Sequence, residues 1–222
     1  MGNGDSGPQD EHQGDGNATS SSPITQGNLT TEQFSVLTMM MESMTTTQKL
    51  VFIHSAGGTG KSTIVQRLFE ELGKQGFSQA NTCPTGVGAS HLPQGRTFHS
   101  MFKKSMPALN AGNLIDDMKA ELGGDKLKVV VVDEASMLAS SFLVLLDCQL
   151  RAIYKPTCLF GGISILLLGD FVQLPVTIGR NLYAIMYGHV TAEDANARAL
   201  FAEFHVVQLQ QQMHASTCKI QQ

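Results

Sequence analysis

One short stretch decides the fold of this 222-residue sequence: Ser55-Ala56-Gly57-Gly58-Thr59-Gly60-Lys61-Ser62-Thr63. It follows an apolar run, Leu50–His54, that predicts a buried strand, and it leads into Ser62–Lys74, which predicts a helix. Glycines in such a turn let backbone N–H groups curl around phosphate oxygens, and the helix N-terminus adds the positive end of its dipole. The stretch therefore predicts a phosphate-binding loop.

Each position of this loop has an expected role. Lys61 reaches the β- and γ-phosphates of a nucleotide, and the Ser62 hydroxyl coordinates Mg²⁺. Ser55 stands where the usual pattern has glycine. A glycine-rich turn between a strand and a helix, with an accidental Lys-Ser, is the alternative. The predicted nucleotide-binding residues are Gly57, Gly58, Thr59, Gly60, Lys61, Ser62 and Thr63.

A second motif, Val129-Val130-Val131-Val132-Asp133-Glu134, brings Asp133 72 residues after Lys61. A carboxylate at the end of a buried strand beside a phosphate loop holds Mg²⁺ and its waters. Asp133 is thus predicted, with Ser62, as a metal ligand, and Glu134 as the group that orients or deprotonates an attacking water. Alone, the motif is an ordinary strand end. Together the two motifs predict a P-loop nucleoside triphosphatase in which Lys61, Asp133 and Glu134 are catalytic.

Apolar runs and helical stretches alternate along the rest of the chain, which is typical of an α/β domain with a mostly parallel sheet in three layers. The predicted strands are Leu50–His54, Val129–Asp133, Ile163–Leu168 and Phe204–Leu209, with Gln79–Cys83 as a weaker candidate. The predicted helices are one through Phe34 and Met44 capped by Thr30 or Thr31, Ser62–Lys74, part of Leu114–Leu122, Ser140–Tyr154, and Ala192–Glu203 with Thr191 and Asp194 placed as a capping box.

Composition divides the chain in two. Residues 1–28 carry four acids, no Lys or Arg and six glycines, which predicts a disordered acidic tail. Residues 29–222 hold 15 acids and 15 bases, so a single domain of zero net charge is expected there. No apolar run approaches the length of a membrane span, and no positively charged leader followed by an apolar stretch lies near Met1, so no secretory signal is expected. The four cysteines stand singly, which argues against a zinc ribbon or a disulfide scaffold.

Further motifs carry a resemblance to a known family. Five blocks occur in order: Gly58-Thr59-Gly60-Lys61-Ser62, Cys83-Pro84-Thr85-Gly86-Val87-Gly88-Ala89, Gly95-Arg96-Thr97-Phe98-His99-Ser100, Asp133-Glu134-Ala135-Ser136-Met137 and Gly169-Asp170-Phe171-Val172-Gln173-Leu174-Pro175. Over about residues 29–215 the chain resembles the PIF-type DNA helicases of superfamily one, relatives of RecD. The resemblance implies that residues 29–222 form the first RecA-like motor domain of an enzyme that couples ATP hydrolysis to 5′–3′ unwinding of DNA.

The resemblance also implies roles for single residues. It puts the Gln33 amide on the edge of adenine and makes Gln173 the γ-phosphate sensor, with Asp170 fixing the same loop. Phe98 has a core aromatic as its alternative, and His99 a buried structural histidine. The segments expected to grip single-stranded DNA supply Thr85, Gly86, Thr97, Phe98 and His99, followed by Lys103 and Lys104 as possible phosphate contacts.

The sequence departs from the family at several points. Beside Ser55, Val176 replaces a second proline, and His214 stands where the family places an arginine that meets the γ-phosphate. A neutral imidazole lacks the permanent charge that such an arginine gives the transition state. The second motor domain is also absent before the chain ends at Gln222. We therefore expect binding of ATP with Mg²⁺, slow hydrolysis and weak or no unaided unwinding.

Three functions compete on these grounds. The first is an ATP-dependent helicase motor domain, and the second a non-catalytic nucleotide- or DNA-binding remnant of one. The third, an unrelated P-loop protein such as a small-molecule kinase, leaves the later motifs unexplained. Zero net charge predicts weak, strongly salt-dependent binding of single-stranded DNA and no membrane partner. The expected compartment is the nucleus, if the chain is eukaryotic.

Overall fold

The computed structural model describes residues 24–42, 47–102, 112–170, 191–192 and 194–211. Most of the predicted tail, residues 1–23, lies outside this part. Several predictions lie outside it as well: Lys103, Lys104, Gln173, Val176 and His214. Within the described residues, no helix is both long and apolar enough to span a bilayer.

Six strands form one sheet, and every neighbouring pair is parallel. The order across the sheet is β3-β2-β4-β5-β1-β6. The strands are β1 (Leu50–His54), β2 (Ser78–Cys83), β3 (Arg96–Thr97), β4 (Leu127–Val132), β5 (Ser164–Gly169) and β6 (His205–Gln208). The predicted parallel α/β sheet is thereby confirmed.

Helices connect the strands and cover both faces of the sheet. They are α1 (Thr31–Glu42), α2 (Lys61–Lys74), α3 (Gly86–Ser90), α4 (Phe98–Met101), α5 (Gly112–Glu121), α6 (Ser140–Ile153) and α7 (Ala195–Ala202), with 3₁₀ turns at Gly124–Lys126, Ala135–Met137 and Leu159–Gly162. The five predicted helices are present with shifted ends, while the sequence analysis missed α3, α4 and the two-residue strand β3.

Alternation along the strands divides the core between the two faces. In β1, Val51 and Ile53 pack with the apolar sides of α1 and α2. Phe52, between them, points to the opposite face and packs with α6 and α7, where its ring lies edge-on to Phe201 at 5.4 Å between centroids. This is the three-layer arrangement expected when a parallel sheet is buried on both faces.

Strand β2 has buried polar side chains, which is why the sequence predicted it only weakly. Gln79, Asn81 and Thr82 are all buried in the sheet. The Gln79 Nε2 amide donates to Asn81 Oδ1 at 2.6 Å, and Asn81 Nδ2 donates to the Pro93 carbonyl at 2.6 Å. These hydrogen bonds offset part of the cost of burying Gln79 and Asn81, whereas Gln79 Oε1 and Thr82 Oγ1 are buried without a partner among the described residues.

The predicted capping box before α7 is wrong. Asp194 is the N-cap residue, but its carboxylate makes no capping bond to the helix, which begins at Ala195 rather than Ala192. The carboxylate instead accepts from the Thr191 hydroxyl at 2.9 Å and from the buried Ser140 hydroxyl at 2.7 Å. These bonds connect the start of α7 to the start of α6, and they engage the Asp194 carboxylate in place of a capping bond to the backbone N–H groups of α7.

The turn that precedes β5 is fixed by one buried carboxylate. Asp147 Oδ1 accepts from the Phe160 N–H at 2.6 Å, and both carboxylate oxygens accept from Arg151 Nε. Phe160 and Gly161 follow with φ of 48° and 64°. A Cβ on Gly161 would stand 2.3 Å from the Leu150 carbonyl oxygen. The turn therefore requires glycine for its backbone angle and also for space.

We expect Gly161→Ala to destabilise the fold by about 3 kcal/mol, since it adds a left-handed strain of ~1–2 kcal/mol to a backbone clash of similar cost. Gly76→Ala is the matched control: Gly76 has φ +76°, but nothing lies within 4 Å of its Cβ position. It should lose only about 1 kcal/mol. Urea unfolding of both variants checks this, and equal losses would contradict the clash at Leu150.

Candidate functional site

The glycine-rich loop begins where β1 ends, and a backbone hydrogen bond anchors it. The Ser55 N–H donates to the Gly169 carbonyl at 3.1 Å, which continues the β1–β5 ladder one residue past the strand. Gly58 and Gly60 both have φ near 80°, the left-handed region that glycine adopts without strain. Gly60 then acts as the N-cap of α2, so the loop turns directly into the helix.

The Ser55 hydroxyl closes this loop across its base. Ser55 Oγ and Thr59 Oγ1 lie 2.9 Å apart, and Thr59 Oγ1 donates to the Ala56 carbonyl at 3.1 Å. Because the Thr59 hydroxyl has one proton, Ser55 is the donor of the shared bond. Both side chains are buried. The departure from glycine at Ser55 is thus accommodated with every hydroxyl bonded.

Lys61, the first residue of α2, folds its side chain back over the loop. Its Nζ donates to the Ser55 carbonyl at 2.8 Å, the Ala56 carbonyl at 3.0 Å and Ser55 Oγ at 3.2 Å. Burial lowers the pKa of Lys61, and the nearby carboxylates of Asp133 and Asp170 oppose that shift. The ammonium is therefore held by the loop in the position from which it would contact an anion.

Gln33 on α1 is buried and braces the same loop. Its Nε2 donates to the Thr59 carbonyl at 2.9 Å, and its Oε1 accepts from the Thr30 N–H at 2.9 Å. In return the Gln33 N–H donates to Thr30 Oγ1 at 3.2 Å, which completes a capping box. The side chain that the resemblance assigns to adenine thus uses both ends of its amide for the protein, and its contact with adenine stays a prediction.

The two acidic residues lie just past the end of β4. The Asp133 N–H donates to the Thr82 carbonyl at 2.9 Å, so the β2–β4 ladder also continues one residue beyond the strand. Burial raises the pKa of Asp133, while the Glu134 N–H, which donates to its Oδ1 at 2.8 Å, and Lys61 oppose the rise. Glu134 has φ 52°. A non-glycine residue in the left-handed region costs about 1 kcal/mol or more, and such strain is typical of functional sites.

These groups line one cleft at the carboxyl edge of the sheet. Its volume is about 380 Å³. The loop and both acidic residues line it together with the end of β5: Gly57, Gly58, Thr59, Gly60, Lys61, Ser62, Thr63, Asp133, Glu134, Gly169 and Asp170. The structure brings together every predicted nucleotide-binding residue of the loop and both predicted acids. Gln173 lies outside the described residues.

The cleft offers oxygen ligands suited to a hard divalent cation. Ser62 is exposed and supplies a hydroxyl, and Asp133 supplies a carboxylate. Mg²⁺ keeps several waters and takes one or two protein oxygens beside substrate phosphates. In the described part of the chain no group of three or more His, Cys, Asp or Glu could hold a metal ion. One hydroxyl and one carboxylate are a donor set that fits Mg²⁺ with phosphate oxygens and water as its other ligands.

The Glu134 side chain has two partners that the sequence analysis missed. Its Oε2 accepts from Thr85 Oγ1 at 3.2 Å and from Cys83 Sγ at 3.3 Å. Burial, reinforced by Glu134, raises the pKa of Cys83 to about 12. No local sequence signal predicts this contact, because it depends on β2 and β4 being neighbours in the sheet.

The predicted DNA-gripping residues lie in two short helical turns after β2 and β3. Thr85 is the N-cap of α3, which Gly86 begins, and Thr97 is the N-cap of α4. His99 is exposed. Phe98 is a core residue with 2% of its surface exposed, and its ring packs 4.7 Å from that of Phe102. Stacking on a base is therefore open to His99 and closed to the Phe98 ring, because that ring is buried in the core.

A larger cavity, of about 620 Å³, lies near the opposite end of the sheet. It is lined by the start of β1 at Leu50, by the α1 residues Ser35 and Glu42, and by His205 of β6. It has no glycine-rich loop and no helix N-terminus aimed into it. The chemistry that the sequence predicts belongs to the smaller cleft.

Comparisons with known proteins agree with this geometry. The family model described as PIF1-like helicase matches residues 28–222. The chain is 33% identical over 162 residues to the ATP-dependent DNA helicase PIF1 of zebrafish (Danio rerio), which covers 71% of this chain and 24% of that protein. It is 34% identical over 170 residues to the ATP-dependent DNA helicase RRM3 of Saccharomyces cerevisiae, which covers 71% of this chain and 21% of that protein. The chain thus spans about a quarter of the length of these relatives.

A solved structure shows the same fold. The Pif1 helicase from Candida albicans superposes with a TM-score of 0.60 at 24% identity, over 82% of this chain and 40% of that one. The likeness extends the sequence match to the three-dimensional arrangement of the parallel sheet. The chain belongs to the family of PIF1-like helicases.

Proposed function

We propose that this chain is the ATP-binding motor domain of a PIF-type DNA helicase. It binds ATP with Mg²⁺ and single-stranded DNA, and in the whole protein it couples hydrolysis to 5′–3′ unwinding. The observation that carries the proposal is the cleft in which Lys61, Ser62, Asp133 and Glu134 meet at the carboxyl edge of one parallel sheet. Residues 29–222 form the motor domain in this proposal, and residues 1–28 an acidic tail.

The cleft supplies the parts that phosphoryl transfer requires. Backbone N–H groups of the loop and of the start of α2 hold the phosphate oxygens, and Lys61 exchanges its loop carbonyls for the β- and γ-phosphates. Ser62 and Asp133 would hold Mg²⁺, and a bound Mg²⁺ would supply charge neutralisation on the phosphates. Glu134 orients and deprotonates the attacking water. Gln173 is proposed as the γ-phosphate sensor on the resemblance alone.

The exposed turns after β2 and β3 support a single-strand interface. Thr85, Gly86 and Thr97 present small side chains and helix N-cap backbone, which admit a phosphodiester chain, and His99 offers an imidazole face to a base. Arg96 nearby is paired with Glu121 at 3.3 Å. The described part of this surface has few unpaired Lys or Arg side chains, so we propose that it binds single-stranded DNA weakly and in a salt-dependent manner.

A non-catalytic nucleotide-binding module is the second candidate. One observation favours it: Glu134 Oε2 already accepts two hydrogen bonds within the protein. His214 in place of an arginine points the same way. Under the first proposal hydrolysis by this chain alone is slow, and under the second it is absent while ATP still binds.

For a eukaryotic chain we propose the nucleus as its compartment, because its DNA substrate lies there. We also propose roles in DNA repair, recombination or telomere maintenance.

We expect Lys61→Ala to weaken ATP binding by about tenfold or more, because it removes a charge-assisted contact with the phosphates. ATP hydrolysis stimulated by an oligo-dT single strand should fall to the buffer background. Lys126→Ala is the matched control, since Lys126 is an exposed lysine at the opposite end of β4. Binding of labelled ATP and steady-state turnover with Mg²⁺ are the measurements.

The outcomes of that experiment separate the candidates. DNA-stimulated turnover that Lys61→Ala abolishes supports the motor domain. ATP binding without turnover, again lost in Lys61→Ala, supports the non-catalytic module. If wild type and Lys61→Ala bind ATP equally, the phosphate-loop assignment is wrong.

We expect Gln33→Ala to weaken ATP and GTP alike, by about fivefold, because the variant loses the hydrogen bond that supports the Thr59 carbonyl. Gln66→Ala, on the exposed side of α2, is the control. Competition binding with both nucleotides measures the effect. A loss confined to ATP would instead demonstrate the adenine contact that the family resemblance implies.

We expect His99→Ala to weaken binding of oligo-dT by about five- to a hundredfold, which corresponds to the loss of one base stacked on a ring. His205→Ala removes another exposed histidine, on the edge strand β6, and should leave affinity unchanged. Fluorescence anisotropy at two salt concentrations provides the measurement. Equal affinities of the two variants would exclude His99 from the interface.

A further inference from the structure

A buried thiol contacts the proposed catalytic carboxylate from the DNA side of the domain. Cys83 ends β2, is fully buried, and donates through Sγ to Glu134 Oε2 at 3.3 Å. Thr85 Oγ1 donates to the same oxygen at 3.2 Å. Neither the nucleotide site nor the DNA interface, as proposed above, uses Cys83. The thiol therefore lies between the two sites without belonging to either.

A glycine makes room for this arrangement. A Cβ on Gly88 would lie 2.2 Å from Cys83 Sγ, 2.9 Å from Thr85 Oγ1 and 3.2 Å from Glu134 Oε2. The space that a side chain at position 88 would fill is therefore occupied by sulfur. Cys83, Thr85, Gly88 and Glu134 form one closely packed group, which we call the Glu134 latch.

The thiol keeps its proton at neutral pH, since burial and the neighbouring carboxylate raise the pKa of Cys83 to about 12. A protonated thiol is a weak donor, and a hydroxyl is a stronger one. Both bonds end on Oε2, so together they fix the orientation in which the carboxylate can meet an attacking water.

We propose that Cys83 is a positioning residue that, together with the Thr85 hydroxyl, holds Glu134 in a resting orientation until DNA binds at Thr85. The proposal rests on the function proposed above. Thr85 is the N-cap of α3 in the segment assigned to DNA, and its hydroxyl can donate one proton only. A phosphate oxygen that accepts this hydrogen bond leaves Glu134 with the weak thiol bond alone, and the carboxylate turns toward the water.

The turnover experiment compares hydrolysis with and without saturating oligo-dT. We expect Cys83→Ala to raise the DNA-free kcat about threefold to tenfold, the effect of losing one weak hydrogen bond, and to leave the DNA-saturated kcat unchanged. The ratio of the two rates therefore falls. Cys83→Ser puts a stronger donor in the same place, so it should keep the DNA-free kcat at or below the wild-type value and lower the DNA-saturated kcat.

Two further variants separate hydrogen bonding from packing. In Cys83→Val, a methyl group takes the place of the sulfur, so the packing is largely kept and the donor is missing. It should behave as Cys83→Ala does. Cys148→Ala, at a cysteine on α6, should behave as wild type. A stimulation ratio in Cys83→Ala equal to that of wild type would overturn the proposal.

A spectroscopic test decides the same point without turnover. In the full chain with Cys148, Cys158 and Cys218 changed to serine, the infrared S–H stretch reports Cys83 alone, and its frequency falls when the thiol donates a hydrogen bond. Glu134→Ala should raise the frequency. Saturating oligo-dT should also shift it, because the carboxylate turns away.

The S–H band, ATP turnover and DNA binding together distinguish failure of this inference from failure of the proposed function. An S–H band that neither Glu134→Ala nor DNA moves overturns the latch, even if the chain hydrolyses ATP. A band that responds to both, in a chain without turnover, supports the latch and removes the catalytic function. If anisotropy shows no DNA binding, both the DNA interface and the release step are wrong.

Discussion

Two backbone hydrogen bonds past the strand ends hold the site in place. The Ser55 N–H donates to the Gly169 carbonyl, and the Asp133 N–H donates to the Thr82 carbonyl. Each extends a parallel ladder by one residue beyond regular strand, so the phosphate loop and the acidic pair begin at positions that the sheet itself fixes. Because β1, β5, β4 and β2 are neighbours in that order, the two bonds set the width of the cleft. Loop residues have little freedom left to lose when a ligand binds.

The loop is stiffened further by its own side chains. The Ser55 and Thr59 hydroxyls bond each other across its base, and Gln33 reaches from α1 to the Thr59 carbonyl. Lys61 adds a third set of bonds, to the carbonyls of Ser55 and Ala56. Such preorganisation reduces the conformational entropy lost on binding. Ser55 shows how the loop accommodates a departure from the glycine pattern, since its hydroxyl bonds within the loop while its backbone still donates to β5.

Much of the fold followed from the sequence because hydrophobic burial dictates it. Apolar runs of Val, Ile, Leu and Phe fill both faces of the sheet at β1, β4 and β5, and the predicted parallel sheet is confirmed. The polar strand β2 gave a weak signal because its burial is stabilised by hydrogen bonds between side chains such as Gln79 and Asn81. The helices α3 and α4 were missed, since they have five and four residues and depend on threonine caps.

The composition of the site was predictable, whereas its connections were not. Loop glycines, Lys61 and the acids are adjacent in sequence to their strands, so spacing alone assembled them. The side-chain positions of Phe98 and Gln33 depended on packing: the Phe98 ring fills the core, and the Gln33 amide is buried against the loop. Contact between Cys83 and Glu134 required the order of strands in the sheet, which no local pattern encodes. The charges on the neighbouring surface determine how DNA would act on the contact between Cys83 and Glu134. Within the described part of this surface Arg96 is paired with Glu121, so the DNA contacts proposed there are short-range hydrogen bonds and stacking rather than long-range attraction. Short-range contacts form only when single-stranded DNA is bound at Thr85. Binding there is the event that, in the proposal, frees Glu134 from the Thr85 hydroxyl. The Thr85 hydroxyl, rather than a cation, lies where the proposed nucleotide and DNA sites meet. This one feature would explain both the weak affinity for DNA and the dependence of the Glu134 orientation on bound DNA.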